Sequence, residues 1–364
     1  MDLPQTHAFV MKKLKEYGYE PVSIGKCGVT CTVGKPGGKV FMLRADMDAL
    51  PMPEESALPF AACNGHDHSC GHDCHTAMLL GAAKMLKERE NELAGTVKFM
   101  FQSGEEVLGG AKDMVENGLL ENPHVDAAMA LHVEVAKDDS QVGVLRWAPG
   151  TLTNSGDSVK VYITGHETHG SLPHTGVDAV HIACTTVLAL EEVLAKEIPM
   201  DENSTILVGR MDGGTSCNSV PGEAMLDISI RACGYEQRAF LLRRIEEIAT
   251  GIAATFRGKV RFEHPYGAPP MVNNNDLLKE LVEYAGEMLP SETIHQVGPL
   301  SGGEDFAYIA ERIPAVMMTV GAGSLGEGYT EGLHNPKTIL DEGALPIGAA
   351  VYAHCAARWL EANR

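Results

Sequence analysis

Hydrophobic positions recur along this chain in two registers, and the balance between them changes twice. Short apolar runs fall at 39–44, 96–102 (TVKFMFQ), 126–131 (DAAMAL) and 315–320 (AVMMTV), and read as buried strands. Between the first two, Met78, Leu79, Ala82, Ala83 and Leu86 repeat at helical spacing. A short amphipathic helix is predicted over 8–17 and a strand over 28–33. Strands alternating with helices argue for a mostly parallel α/β sheet. After Pro149-Gly150 the pattern changes: strand 158–164, helix 177–196, strands 205–211 and 224–232, helix 236–256, strand 259–263. Leu226, Ile228 and Ile230 share one face of their strand. The order β-α-β-β-α-β is ferredoxin-like. Strand 158–164 alternates as an edge strand does, and is predicted to pair with a symmetry mate. After Pro269-Pro270 the α/β character returns, with helices predicted over 276–288, 305–312 and 343–360. The reading is one α/β domain made of 1–149 and 265–364, interrupted by an α+β domain at 150–264.

Composition narrows the function. With 29 basic and 49 acidic side chains the net charge is −20, which repels phosphates and excludes a nucleic-acid partner. No apolar run reaches the roughly 18–20 residues that span a bilayer. The start, MDLPQTHAFVMKK, has no signal-peptide core, so a cytoplasmic location and no membrane partner are expected. An odd number of cysteines, 9, then reads as free thiols, packing residues or metal ligands.

Six of those cysteines are scattered among small and apolar neighbours. The other three, Cys63, Cys70 and Cys74, share the window 63–75 with His66, His68, His72 and His75. Thiolate and imidazole in such density suit zinc-like ions. A structural zinc loop normally shows paired CxxC knuckles; here the spacing is irregular and leads straight into a helix. Glu105-Glu106 follows a strand directly. Two adjacent carboxylates point different ways, so one can bind metal while the other handles a proton. Asp46 and Asp48, Glu105 and Glu106, and His132 all lie at carboxyl ends of predicted strands, where open α/β sheets bind ligands. Together with the Cys/His loop they offer ligands for two metal ions, a cage that activates water and polarises a carbonyl. His66, His68 and His75 are read as supporting or plain loop and helix-start residues. Cys74 is read as buried, and Glu304 and Asp305 as facing the dipole of the helix that they start. The loop 213–217 (GGTSC) lacks the strand–nucleophile–helix context of a serine or cysteine hydrolase.

Eight ordered segments, LRADMDALPM (43–52), CGHDCHTAMLLGAA (70–83), FQSGEE (101–106), ALHV (130–133), GHETHGSLPH (165–174), GGTSCNSVP (213–221), SGGEDFAYI (301–309) and LHNP (333–336), make the chain similar to a known family over nearly its whole length. It resembles the amidohydrolase branch of the aminoacylase/carboxypeptidase metallopeptidases, with hippurate hydrolases, auxin-conjugate hydrolases and N-acetyl-diaminopimelate deacetylases. The resemblance implies a two-metal catalytic domain with an inserted ferredoxin-like lid and dimerisation domain. It puts the metal ligands on Cys70, His72, Glu106, His132 and His334, the general base on Glu105 and an active-site acid on Asp46. It implies that His169 of the lid supports the oxyanion, in a homodimer from the partner's side, and that Asn218 and Arg231 meet the substrate's carboxylate side. The implied reaction is hydrolysis of an N-acyl amino acid or similar small amide with zinc or manganese, cobalt or nickel also being accepted. A dipeptidase or aminopeptidase uses the same machinery; a non-catalytic metal-binding protein is the reading from another class. Two departures stand out. The family normally has a further N-terminal segment with a His-x-x-Pro-Glu element, and the sequence begins near the end of it, at Leu3-Pro4-Gln5-Thr6. Ser103-Gly104 replaces Pro-Ala, which should alter the turn without touching the carboxylates.

Overall fold

Four strands whose residues are buried on both faces pair in parallel, in the order Thr96–Gln102, Val40–Asp46, Ala127–Glu134, Ala315–Gly321. They form the middle of an eight-stranded sheet. Gly28–Gly34 and Val22–Ile24 extend one side, Leu145–Trp147 and Ile294–Gln296 the other. The computed structural model describes residues 1–200, 202–300 and 302–364; Ser301, which opens the SGGEDFAYI segment, lies outside the described residues.

Phe41, Leu43, Phe99, Phe101, Met129 and Leu131 point to one face of this sheet. They pack there with Met78, Leu79 and Leu86 of the His72–Glu88 helix and Tyr352, Cys355 and Trp359 of the Ala344–Ala362 helix. The intervening Met42, Met100 and Met317 are equally buried, so the sheet is covered on both faces, as parallel sheets are. The buried positions of the His72–Glu88 helix, from His72 and His75 to Leu79, Ala82, Ala83 and Leu86, follow the helical period read from the sequence. The same face therefore carries core residues at one end and imidazoles at the other. Burying each large apolar side chain here contributes about 1.5–3 kcal/mol, which anchors those imidazoles on a rigid rod.

The chain divides into two compact units: Met1–Leu152 with Val272–Pro299 and Asp305–Arg364, and Thr153–Met271 with Leu300–Glu304. The second unit has an antiparallel sheet in the order Thr205–Gly213, Glu223–Arg231, Gly156–Thr164, Lys259–Glu263. Leu226, Ile228 and Ile230 do share a face, packed with Val159, Val161 and Ile163 against Ile182, Leu190, Leu241 and Ile245 of two helices. This is the ferredoxin-like arrangement.

Two expectations fail. Gly156–Thr164 is not an edge strand: it pairs with Glu223–Arg231 on one side and Lys259–Glu263 on the other. Alternation reports only that one face is buried, and a central strand under two helices has the same pattern. The helix expected over 305–312 shrinks to Ala307–Ala310. The Asp305 carboxylate also serves another helix: it accepts from the N–H of Ala111 in the Gly110–Glu116 helix.

Candidate metal centre

The carboxyl ends of the parallel strands deliver Asp46, the Glu105-Glu106 turn and His132 to one edge, where the His72–Glu88 helix begins. Gly71 sets that helix start. Its φ is +86°, and a Cβ there would lie 2.2 Å from the Val133 side chain. Only glycine lets the chain turn tightly enough to put Cys70 and His72 side by side against the strand.

Among the described residues five groups of side chains bring ligand atoms within 4.8 Å of one another, and three of them are made wholly of the expected ligands and Glu105: Cys70, His72 and His132; Cys70, Glu106 and His334; His72, Glu105 and Glu106. Cys70 belongs to two of them, and Glu106 and His72 link the rest. All five ligand positions inferred from the sequence thus converge, with Glu105 beside them. Cys63 and His66, from the same Cys/His window, are exposed and belong to none of the groups found among the described residues.

The imidazoles sort themselves by their hydrogen bonds. His72 Nδ1 donates to the Asp48 carbonyl at 3.1 Å, and His132 Nδ1 donates to the Val133 carbonyl at 2.6 Å. With Nδ1 committed to a carbonyl, each presents Nε2 to the cluster, the nitrogen that a metal would take in place of a proton. His75 is different. Its Nδ1 lies 2.6 Å from Asp46 Oδ1 and its Nε2 accepts the Val133 N–H at 2.8 Å, so no lone pair remains for metal. His334 reaches the cluster from a loop, its Nε2 3.4 Å from Glu106 Oε1. Its φ is +64°, a left-handed conformation that costs a non-glycine residue energy and is held by its N–H bond to the Ser69 carbonyl.

The Glu105-Glu106 turn is fixed from beneath. Both carboxylate oxygens of Asp48 accept backbone N–H groups, one from Glu105 and one from Glu106, each at 3.0 Å. Glu105 Oε2 and Glu106 Oε1 both lie 3.9 Å from His72 Nε2.

The donor set fits a pair of divalent cations. His72 Nε2 and Glu106 Oε1 are buried and, among the described residues, have no hydrogen-bond partner, a costly state unless a cation sits between them. Burial pushes the Cys70 thiol up, but His132, His334 and His72 outweigh it and bring it down to about 6, so it is a thiolate at neutral pH. Burial works against a charge on His72, yet Asp46, Asp48 and Cys70 hold its pKa well above the usual value. The pocket thus favours positive charge where the ligand atoms meet. Burial alone would raise Asp46; Arg44, His72 and His75 overcome this and keep it ionised.

Asp46 itself is fully buried, paired with Arg44 at 2.9 Å as well as with His75. His75, read from the sequence as a supporting or plain helix-start residue, Asp48, grouped there with the ligand cage, and Arg44, not singled out, are the functional neighbours whose contacts the structure supplies. The three-residue step from His72 to His75 on one helix face was the available signal for the first.

In the second unit, His169 and Asn218 are neighbours: Thr168–His169 pairs with Ser219–Val220, and the Gly170 N–H donates to the Asn218 carbonyl. His169 is exposed, and its Nδ1 accepts the Ser171 N–H at 3.2 Å, which leaves the proton on Nε2. Arg231 ends its strand and donates to the Ser155 carbonyl at 3.4 Å.

Comparison with known proteins gives a consistent result. Residues 42–358 match the model of peptidase family M20/M25/M40. The chain is 34% identical over 340 residues to the N-acetylcysteine deacetylase of Bacillus subtilis, covering 92% of this chain and 86% of that protein. It is 34% identical over 356 residues to IAA-amino acid hydrolase ILR1-like 2 of Arabidopsis thaliana, covering 95% of this chain and 77% of the other. Among solved structures, a dinuclear metal-binding peptidase of the M20 family from Bacillus subtilis superposes with a TM-score of 0.81 at 31% identity, covering 98% of this chain and 92% of that one.

Proposed function

The chain belongs to peptidase family M20/M25/M40, and from that premise we propose that it hydrolyses the amide bond of N-acyl amino acids with two divalent metal ions. The observation that carries this reading is the buried pair of unpartnered ligand atoms, His72 Nε2 and Glu106 Oε1, with a second carboxylate, Glu105, beside them. The similarity to a deacetylase and to an amino acid conjugate hydrolase supports the substrate class.

Cys70, His72, Glu106, His132 and His334 would hold the ions, which when bound would supply Lewis-acid polarisation of a carbonyl and of water. Glu105 takes the proton from that water and hands it to the leaving nitrogen. The thiolate suits zinc, and the carboxylate and imidazoles also accept manganese, cobalt or nickel. Asp46 keeps His75 in one tautomer and lends negative charge beside His72; its burial suits an orienting role better than proton transfer with substrate.

The second unit serves as lid and dimerisation domain. His169, with its proton on Nε2, donates to the oxyanion of the partner's site, while Asn218 and Arg231 receive the substrate's carboxylate side. Among the described residues, Thr205–Gly213 pairs on one side only and exposes Leu207 and Met211, so it replaces Gly156–Thr164 as the edge through which two copies join.

The test is a panel of N-acyl amino acids and free dipeptides assayed with zinc, manganese, cobalt and nickel. Turnover confined to N-acylated substrates is expected. Turnover that requires a free α-amino group overturns this reading in favour of an aminopeptidase, and metal binding without turnover reduces it to a metal-binding protein.

A further inference from the structure

The Glu105-Glu106 turn is held by a second buried carboxylate besides Asp48. Asp305 is fully buried. Its Oδ1 accepts Gln102 Nε2 at 2.6 Å and lies 3.3 Å from Arg44 Nη2, and its Oδ2 accepts the Ala111 N–H at 2.9 Å. Arg44 in turn donates through Nε to Gln102 Oε1 at 2.9 Å and pairs through Nη1 with Asp46 at 2.9 Å. The Phe306 ring covers the guanidinium, 5.6 Å from its centroid.

The positions of these partners along the chain matter. Gln102 is the last residue of its strand, directly before Ser103-Gly104-Glu105-Glu106, and Ala111 lies in the first turn of the helix that follows. One carboxylate therefore pins the segment at both ends, while Asp48 pins its middle through the Glu105 and Glu106 amides. Arg44 stands on the neighbouring parallel strand, whose end carries Asp46 and, two residues on, Asp48. Both strand ends that feed the site are thus clamped to the same side chain. A buried ion pair is a weak source of stability, since well-packed apolar residues of like volume do as well. What this one supplies is a fixed location for a turn whose two side chains must reach different targets. Misplacing a reacting group by about 1 Å is enough to cost roughly 10²-fold in rate.

We infer that Asp305 is a positioning residue for the Glu105-Glu106 turn, acting through Gln102, Arg44 and the Ala111 amide. The inference rests on the reading of Glu105 and Glu106 given above. Asp305→Asn keeps the volume but replaces one acceptor oxygen with a donor facing groups that already donate.

The experiment compares wild type with Asp305→Asn by hydrogen exchange of peptides covering 103–111, with and without added zinc, alongside kcat and KM for N-acetyl amino acids. Exchange in 103–111 should speed up about tenfold or more while the remaining strands keep their protection. In the same protein kcat should fall about 10–100-fold with KM within about twofold. Unchanged exchange in that segment, or a loss spread evenly over the whole unit, overturns the inference. Gln102→Met, which leaves Asp305 paired with Arg44, is the second variant and should loosen the same segment; if neither variant folds, Asp305 serves global stability and the inference fails. If wild type hydrolyses no N-acyl amino acid, the functional reading falls while the exchange measurement still decides the role of Asp305.

Discussion

Asp46 and His75 form a closed contact: 2.6 Å separates the carboxylate from Nδ1, both side chains are fully buried, and the ring's other nitrogen is taken by the Val133 N–H. Val133 follows His132, so the contact ties a buried anion to the backbone beside a proposed ligand. Burial and the neighbouring His132 and His72 outweigh Asp46 and lower the His75 pKa to about 3, which keeps its imidazole neutral. His75→Gln is therefore expected to keep two metal ions per chain when fully loaded, but with affinity weakened about 10–100-fold. Elemental analysis of the loaded protein and a chelator competition read the two effects separately. Loss of one whole ion would make His75 a ligand.

The two adjacent glutamates should part company under substitution. Glu105→Gln keeps its size and leaves metal in place, yet cannot carry a proton, so turnover should fall by about 10²–10⁴. Glu106→Gln should lose metal as well. Near-normal turnover in Glu105→Gln would mean that another group is the base.

Cys70 belongs to two of the clusters of ligand atoms, so its loss should reach both metal positions. Cys70→Ala is expected to lose most bound metal and activity, whereas Cys63→Ala, at an exposed loop position, should keep both. Metal analysis of the two purified variants decides. Equal loss in both points to a structural loop that uses the whole window.

Metal uptake should be strongly pH dependent. Burial opposes charge on His132, but Cys70 and Asp46 outweigh it and raise its pKa to about 9. His334 is raised to about 10, chiefly by Cys70 and Glu106 beside it. Both folded values lie above neutrality, so at pH 7–8 an entering ion must displace these protons. Apparent affinity should then rise with pH, by up to about 2 log units per pH unit, and level off above the higher pKa. A chromophoric chelator titrated at several pH values measures the slope; a flat profile would show that the imidazoles enter the site already deprotonated.

His169 can be tested by complementation. His169→Ala should retain metal and dimerise but lose about 10²–10³ in turnover, the usual cost of one oxyanion donor. Mixed with Glu105→Gln under subunit exchange, it should regain activity, because one site of each mixed dimer carries both defects and the other neither. Activity that stays low places His169 in its own subunit's site, and a fully active monomer removes the shared-site arrangement.

Much of this was legible because the chemistry sits where strands end. Apolar runs located the parallel strands, and Asp46, Glu105, Glu106 and His132 follow from them by position alone. Cys70 and His72 stood out by residue type. Arg44, Gln102 and Asp305 did not: each looks like an ordinary polar residue at a strand or turn boundary, and their meeting depends on register between strands and on a partner more than 200 residues away. The three-residue strands Val22–Ile24, Leu145–Trp147 and Ile294–Gln296 are too short to show a period. Strand Gly156–Thr164 was misjudged because alternation cannot tell an edge from a centre when one face is bare.

The second unit is not one continuous insertion. Leu300 forms a bridge with Thr153, and Leu300–Glu304 group with Thr153–Met271, so the polypeptide passes between the units four times. Anyone exchanging this unit with that of a relative, to transplant substrate preference, must therefore move two pieces of sequence. A graft of 153–271 alone leaves the native segment 300–304 joined to a foreign unit, directly ahead of Asp305. The functional module for protein engineering is a pair of segments, and its second, shorter part is the one that a single-cut design would miss.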